Sequence, residues 1–258
     1  MRIGVVGLGL IGGSIFKVLS KNGYDVVGVS SSVQLENVSS EYSILQGCNL
    51  VFVCTPMRAT IDVLTKLESF VASETVVTDV CSLKGFLAGR KYSFDFIPSH
   101  PMAGTEFSGW ENSNEDMFEG AKWVITPISK NSNVELLADL VKEMGAFPVY
   151  STPKEHDEAV AMISHAPMVL AQALFKSVQG NALAMKLASS GFRDSTRLAG
   201  SNPVMAEDMV GLNSENIQKS LLNVYASVGD LLANYSNSTI SEIAEKRKAM
   251  YIEGKNIL

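Results

Sequence analysis

The chain has 258 residues, 46% of them hydrophobic and 19% charged, with a formal net charge of −6. That balance supplies enough apolar side chain for a sizeable core and excludes a disordered chain; because domains usually run roughly 100–150 residues, two modest domains are expected. The basic residues are scattered rather than massed, so neither nucleic acid nor an anionic membrane surface is an expected partner, and small-molecule chemistry is favoured.

The first half alternates short β-branched runs with segments of helical period, the pattern of a parallel sheet flanked by helices. The first expected strand, Arg2–Val6, runs directly into Gly7-Leu8-Gly9-Leu10-Ile11-Gly12, and a helix is expected over Ile11–Asn22. A GxGxxG pattern says little alone, but between a strand and a helix it has a mechanical reading. Gly7 makes the tight turn, Gly9 admits the backbone to a pyrophosphate, Gly12 allows close helix–sheet packing, and the free amides at Leu10 and Ile11 with the helix dipole hold phosphate. The second strand, Asp25–Val29, ends where NAD-binding folds place an acid for the adenine ribose; here stand Ser30, Ser31 and Ser32. Without that acid a 2′-phosphate meets no repelling charge, and hydroxyls can donate to it, so NADP is favoured with NAD as the alternative. No arginine lies between Arg2 and Arg58 to strengthen the case.

Further strands are expected at Leu50–Thr55, Thr75–Asp79, Asp95–Ser99, Lys122–Thr126 and Phe147–Tyr150, with helices at Met57–Phe70, Leu83–Arg90 and Val134–Met144. His100 closes the Asp95–Ser99 strand at its carboxyl end, where open α/β sheets bind ligands, and an imidazole there can take a proton at neutral pH. The polar connection from Gly104 to Gly120 has no period of its own, a feature of functional lids. Thr152, Pro153 and Glu155 supply an N-cap, a first-turn proline and a capping-box acid for a helix reaching about Gln179. The remainder reads as helix at Ala182–Ser189, Pro203–Leu212, Ser214–Asn234 and Ile240–Glu253. The expected architecture is therefore α/β: a Rossmann-type, mainly parallel sheet domain over residues 1–151, then an all-helical domain over 152–258. Apolar positions on Ser214–Asn234 cover more than one face, which fits pairing with a second copy and equally fits burial within one chain.

Other residues are read more plainly. His165 looks like a hydrogen-bonded core histidine, and His156 and Asp157 occupy the first turns of a helix, where Asp157 suits the dipole. Gly191-Phe192-Arg193-Asp194-Ser195-Thr196-Arg197 puts two guanidinium groups and a carboxylate in a connection between helices, suited to gripping an acidic substrate or to an ordinary surface ion pair. Cys48, Cys54 and Cys81 form no CxxC or even disulfide set and read as buried thiols. No cluster has metal-ligand spacing, so no metal is expected. No uninterrupted apolar run approaches the roughly 18–20 residues of a membrane span, and strand alternation beginning at Arg2 leaves nothing for a cleavable leader, so a cytoplasmic protein is expected; a plastid protein without its transit peptide would read the same way.

The segments Val5–Gly13, Val53–Pro56, Thr78–Lys84, Ser99–Glu106, His156–Pro167 and Gly191–Arg197 resemble, in order and spacing, the arogenate/prephenate dehydrogenase family, and overall its compact, cyanobacterial-type arogenate enzymes. The phosphate loop is widely shared; Ser-His-Pro-Met-Ala-Gly-Thr-Glu combined with Gly-Phe-Arg-Asp-Ser-Thr-Arg is far more specific. The resemblance implies a dinucleotide domain and a helical domain that forms a homodimer. It implies that His100 takes the ring-hydroxyl proton as hydride leaves the same carbon, that Ser82 helps orient that hydroxyl and the histidine, that Arg197 grips a substrate carboxylate, that Thr105 and Glu106 line the pocket, and that Thr55 and Pro56 meet the cofactor. The reaction implied is oxidation of arogenate, or of prephenate, with loss of carbon dioxide. Many prephenate enzymes carry a second histidine three residues after the first in the Ser-His-x-Pro segment, where this chain has Met168, so tyrosine feedback resting on that histidine has no counterpart there. Neither a chorismate mutase extension nor an appended regulatory domain is expected. A β-hydroxyacid or imine reductase, or a silent cofactor-binding sensor, would share the glycine loop but not His100, Ser82 and Arg197 together.

Overall fold

The computed structural model describes residues 1–105, 107–128 and 133–251. Strands β1 (Arg2–Val6), β2 (Asp25–Val29), β3 (Val38–Ser39), β4 (Leu50–Val53), β5 (Val76–Asp79) and β6 (Asp95–Phe96) form one parallel sheet in the order β3-β2-β1-β4-β5-β6. The central strands are buried on both faces, which is why their sequences are nearly continuous apolar runs. Alternate residues sort to opposite sides: Ile3, Val5, Leu50 and Phe52 pack with Ile15 and Leu19 of α1 (Leu10–Lys21), while Val6, Val51 and Val53 pack with Leu64 and Leu67 of α2 (Met57–Leu67). Strand order reverses between β1 and β4, and a ligand crevice opens beyond the strand carboxyl ends at such a point.

A second sheet, β7 (Ser99–Pro101), β8 (Lys122–Ile125) and β9 (Phe147–Tyr150), pairs β7 antiparallel and β9 parallel to β8, with α3 (Val134–Glu143) between β8 and β9. The expected strand Asp95–Ser99 is thus two strands in two sheets. Pro98, which has no N–H to give a ladder, sits at the break, and His100 lies inside β7 opposite Val124 rather than at a strand end. The helix expected over Leu83–Arg90 is a single 3-10 turn, Gly85–Leu87: the amides of Lys84 and Gly85 donate to Asp157 instead of to a helix, and Gly89 turns the chain at φ +77. The Gly104–Gly120 connection is tied down in its second half. A 3-10 turn, Trp110–Asn112, packs against Phe16, Lys17 lies over the Trp110 ring and donates to Ser113 O at 2.9 Å, and Asn114 N donates to Ser14 Oγ at 2.9 Å.

After Tyr150 the regular structure among the described residues is helical: α4 (Pro153–Val160), α5 (Ala166–Val178), α6 (Ala182–Leu187), α7 (Ser190–Thr196), α8 (Pro203–Leu212), α9 (Ser214–Ala233) and α10 (Asn237–Met250). The capping box of Thr152 and Glu155 is formed, with Pro153 in the first turn. A π-turn, Ala161–His165, joins α4 to α5. Its widened ladder suits Pro167, which brings no N–H and would crowd the carbonyl four residues earlier. The continuous helix Pro153–Val178 reaches the length and apolarity of a membrane span, with mean hydropathy 1.3, which the reading of uninterrupted apolar runs did not register. Its first turns are charged and fit against the loop after β5 through His156 and Asp157, while 33% of its most apolar stretch is buried within the chain. Gly191–Arg197, read as a connection, is helix α7 followed by the 3-10 turn Arg197–Gly200. Of α9, only Ile217 and Ser220 are buried by the rest of the chain, while Tyr225 and Leu232 are 79% and 75% exposed.

Candidate active site

The phosphate loop has the geometry its glycines imply. Gly7 adopts φ +89, and a Cβ there would lie 2.7 Å from the Cys54 carbonyl oxygen; a Cβ on Gly12 would collide with the Gly7 carbonyl. Gly9, in contrast, faces open space and caps α1 without a side chain, so the first-turn amides of Leu10, Ile11 and Gly12 have no partner within the helix. A cleft of about 770 Å³ runs from Gly7–Gly9 past Ser30, Ser31 and Ser32 to Thr55, with Tyr42, Trp110 and Glu111 on its walls. An open glycine beside unpaired helix amides, in a cleft of that size, fits a dinucleotide. Pro56 is exposed at the N-cap of α2, next to Thr55, whose hydroxyl lies 3.2 Å from that of Thr60.

Beyond the carboxyl end of β5 a buried polar network fixes the segment that carries His100. Asp79 and Lys84, both fully buried, form an ion pair, and Lys84 Nζ also donates to the Ser99 carbonyl at 2.6 Å. Such a pair offsets its desolvation only when its remaining hydrogen-bonding capacity is filled, and here Cys81 N donates to Asp79 Oδ2 at 2.9 Å. Trp123 Nε1 donates to Ser99 Oγ at 2.9 Å, so the residue before His100 is held from both sides.

His100 itself is half-buried. Its Nδ1 lies 3.0 Å from His156 Nε2, and His156 Nδ1 lies 2.8 Å from Asp157 Oδ1. Asp157 accepts from Lys84 N at 2.9 Å and Gly85 N at 2.7 Å, and a Cβ on Gly85 would stand 2.7 Å from Asp157 Oδ2. Burial, helped by the neighbouring His156, Lys84 and His165, holds the His100 imidazole well below its ordinary pKa, so it is neutral and can accept a proton. His165 is buried and hydrogen-bonded to Asn213, as expected for a core histidine; burial depresses it to about 4.

The other anticipated residues are more dispersed. Ser82 is half-buried, and among the described residues its hydroxyl hydrogen-bonds the Met57 sulfur at 3.6 Å rather than His100. Arg197 is exposed on its 3-10 turn. Its neighbour Leu198 packs against a cluster containing Met57, Leu83, Met102 and Met168, which draws that turn toward the segment following His100. Asp194 pairs on the surface with Arg193 at 3.0 Å, not with Arg197. Thr105 is exposed and accepts from Phe107 N at 3.3 Å; Glu106 lies outside the described residues. The three thiols are free, but Cys54 is half-buried, and burial pushes Cys48 to about 11 and Cys81 to about 12, which suits inert packing groups. The sequence reading missed His156, Asp157, Lys84 and Asp79 as parts of one constellation. A lysine and an aspartate flanking an otherwise apolar turn were a signal for the second pair.

Comparison with known proteins gives this geometry a family. A family model described as prephenate dehydrogenase, nucleotide-binding domain, matches residues 20–150, and one described as prephenate dehydrogenase, dimerization domain, matches residues 152–246. Prephenate dehydrogenase of Bacillus subtilis is 32% identical over 238 residues, taking in 83% of this chain and 64% of that protein, so the chain spans just under two thirds of that relative's length. Among solved structures, Synechocystis arogenate dehydrogenase superimposes with a TM-score of 0.79 at 32% identity, covering 97% of both chains. Prephenate dehydrogenase of Aquifex aeolicus, solved with hydroxyphenyl propionate and NAD+, gives 0.80 at 27% identity, covering 98% of this chain and 96% of that one. A mainly parallel nucleotide-binding layer followed by helices, with these matches across both parts, means that the chain belongs to the prephenate dehydrogenase family.

Proposed function

We propose that the chain oxidises arogenate with loss of carbon dioxide, yielding tyrosine and using NADP, with residues 1–151 seating the cofactor and 152–258 completing the substrate site. The observation that carries this reading is His100: a neutral, half-buried imidazole beyond the carboxyl end of β5, braced by Lys84 through Ser99 and by His156. When bound, the nicotinamide cofactor accepts the hydride released at the substrate's carbinol carbon. His100 takes the hydroxyl proton, Ser82 orients that hydroxyl, Arg197 holds a substrate carboxylate through its planar fork, and Thr105 and Glu106 line the pocket. Once the ring carbon is a carbonyl, departure of the ring carboxylate makes the ring aromatic, so the protein need only seat the substrate and hold one proton.

Gly7, Gly9, Leu10, Ile11 and Gly12 hold the cofactor phosphates, with Thr55 and Pro56 nearer the nicotinamide. Ser30, Ser31 and Ser32 at the end of β2, with no acid among them, favour NADP. Likeness over nearly the full length of the Synechocystis arogenate enzyme favours arogenate. Prephenate with NAD is the second reading, favoured by the Bacillus relative and by the NAD+ complex of the Aquifex enzyme. The protein acts in the cytoplasm as a homodimer; the exposed apolar side chains of Val224, Tyr225, Val228 and Leu232 on α9 support pairing through the helical part. The test is reduced-nicotinamide formation from arogenate and from prephenate, each with NAD and with NADP. Turnover best with arogenate and NADP is expected; silence in all four combinations would overturn the reading.

A further inference from the structure

The reading of His100 as the base leaves open which of its nitrogens carries the proton, and its neighbours determine this. Asp157 is a carboxylate already accepting from two backbone amides, Lys84 N and Gly85 N, so it faces His156 only as an acceptor. His156 Nδ1, 2.8 Å from Asp157 Oδ1, must therefore be the N–H. A neutral His156 then offers a lone pair on Nε2, and at 3.0 Å that lone pair requires an N–H on His100 Nδ1. The consequence is a His100 whose Nε2 is unprotonated.

We propose that His156 and Asp157 are positioning residues for the reaction: Asp157 fixes the tautomer of His156, His156 fixes that of His100, and His100 Nε2 is thereby presented as the proton acceptor. The proposal rests on the dehydrogenase reading and extends it to residues that do not touch substrate. When His100 Nε2 takes the substrate proton, the imidazolium still donates from Nδ1 to the His156 lone pair, so at Nδ1 the new charge meets an acceptor, and the Lys84 ammonium that also faces it is paired with Asp79. The Nδ1 proton can move on to His156 Nε2, leaving His100 neutral and the charge on an imidazole that faces a carboxylate; one proton shifts and no electrons change hands. The reverse polarity, with His156 doubly protonated and donating to His100, would leave the His100 proton on Nε2 and remove the base.

His100 is faced by His156 and His165 from the α4–α5 helix and by the Lys84 ammonium, itself paired with Asp79; His156 is faced by Asp157 and His100. The backbone amides of Lys84 and Gly85 hold Asp157 across more than 70 residues of sequence, so the tautomer lock also joins the helical part to the loop after β5.

With only three histidines, nitrogen-15 NMR of the histidine-labelled full-length protein can resolve each ring, assigned by His156→Gln and His165→Gln. The expected wild-type result is His100 protonated at Nδ1 and His156 protonated at Nδ1 alone. A His100 protonated at Nε2, or a doubly protonated His156 near neutral pH, would overturn the proposal, and neither depends on turnover. In the kinetic arm, Asp157→Asn replaces an acceptor with a donor, and kcat is expected to fall roughly 10- to 100-fold with KM little changed and the acid limb of the kcat pH profile displaced. Unchanged kcat and profile in a folded Asp157→Asn protein would sink the idea. If the wild type turned over neither substrate while its NMR tautomers were as stated, the functional reading would fail and the hydrogen-bond lock would stand.

Discussion

At the scale of residues, Asp157 serves two distant parts of the chain: it lies within α4, holds the turn after β5 by two amides, and faces His156 with the same carboxylate. Sequence showed only its place near a helix start, because the partners that give it a role are more than 70 residues away. His100 was legible for the opposite reason: a histidine with proline next to it, after an apolar run, marks a ligand-facing segment without any long-range knowledge. Replacing it with asparagine preserves size and polarity but removes the base, so His100→Asn should lower kcat by about 10²–10⁴ with cofactor affinity unchanged; unaltered turnover would remove His100 from the chemistry. Arg197→Ala should act on binding instead. Losing a charge-assisted contact is worth about 1.5–3 kcal/mol, so KM should rise roughly 10-fold or more with kcat less affected, and an unchanged KM would count against the carboxylate clamp.

At the scale of elements, periodicity located nearly every strand and long helix, since both-face burial and amphipathic stripes are local properties of sequence. It failed where tertiary partners took backbone hydrogen bonds away from a local pattern, as when Asp157 claimed the amides of Lys84 and Gly85 and left a 3-10 turn in place of a helix. It failed again at Pro98, where one apolar run feeds two sheets. The phosphate loop offers a test in which fold and function separate. A Cβ on Gly9 meets nothing in this structure, whereas one on Gly12 strikes the Gly7 carbonyl. Gly9→Ala should therefore keep or slightly raise the melting temperature while weakening cofactor binding, measured by fluorescence titration, about tenfold or more; Gly12→Ala should damage both. Full cofactor affinity in Gly9→Ala would mean that the pyrophosphate does not approach there.

At the scale of the molecule, the nucleotide-binding layer and the helices are joined by polar contacts close to the candidate site: Asp157 reaches the turn after β5, and Arg58 at the start of α2 pairs with Asp208 and, at 2.8 Å, with Glu207 on α8. Two imidazoles held below their ordinary pKa make this assembly sensitive to acid. Burial lowers His165 from 6.5 to about 4 and lowers His100 well below its usual value, so the unfolded chain binds those protons more readily than the folded one. Their neutral forms cost the fold nothing above about pH 6.5, and stability is lost as the pH falls from there toward 4. Melting temperature should drop over that window, and His165→Gln should flatten the drop; an equal drop in the variant would contradict the assignment. The central claim, that this site couples oxidation of a ring carbinol to loss of a carboxylate, is tested most directly by following reduced cofactor and carbon dioxide together in one reaction with arogenate and NADP. The account predicts one carbon dioxide released for each cofactor reduced, both abolished together in His100→Asn. Cofactor reduction without carbon dioxide would mean a simple alcohol dehydrogenase and would contradict it.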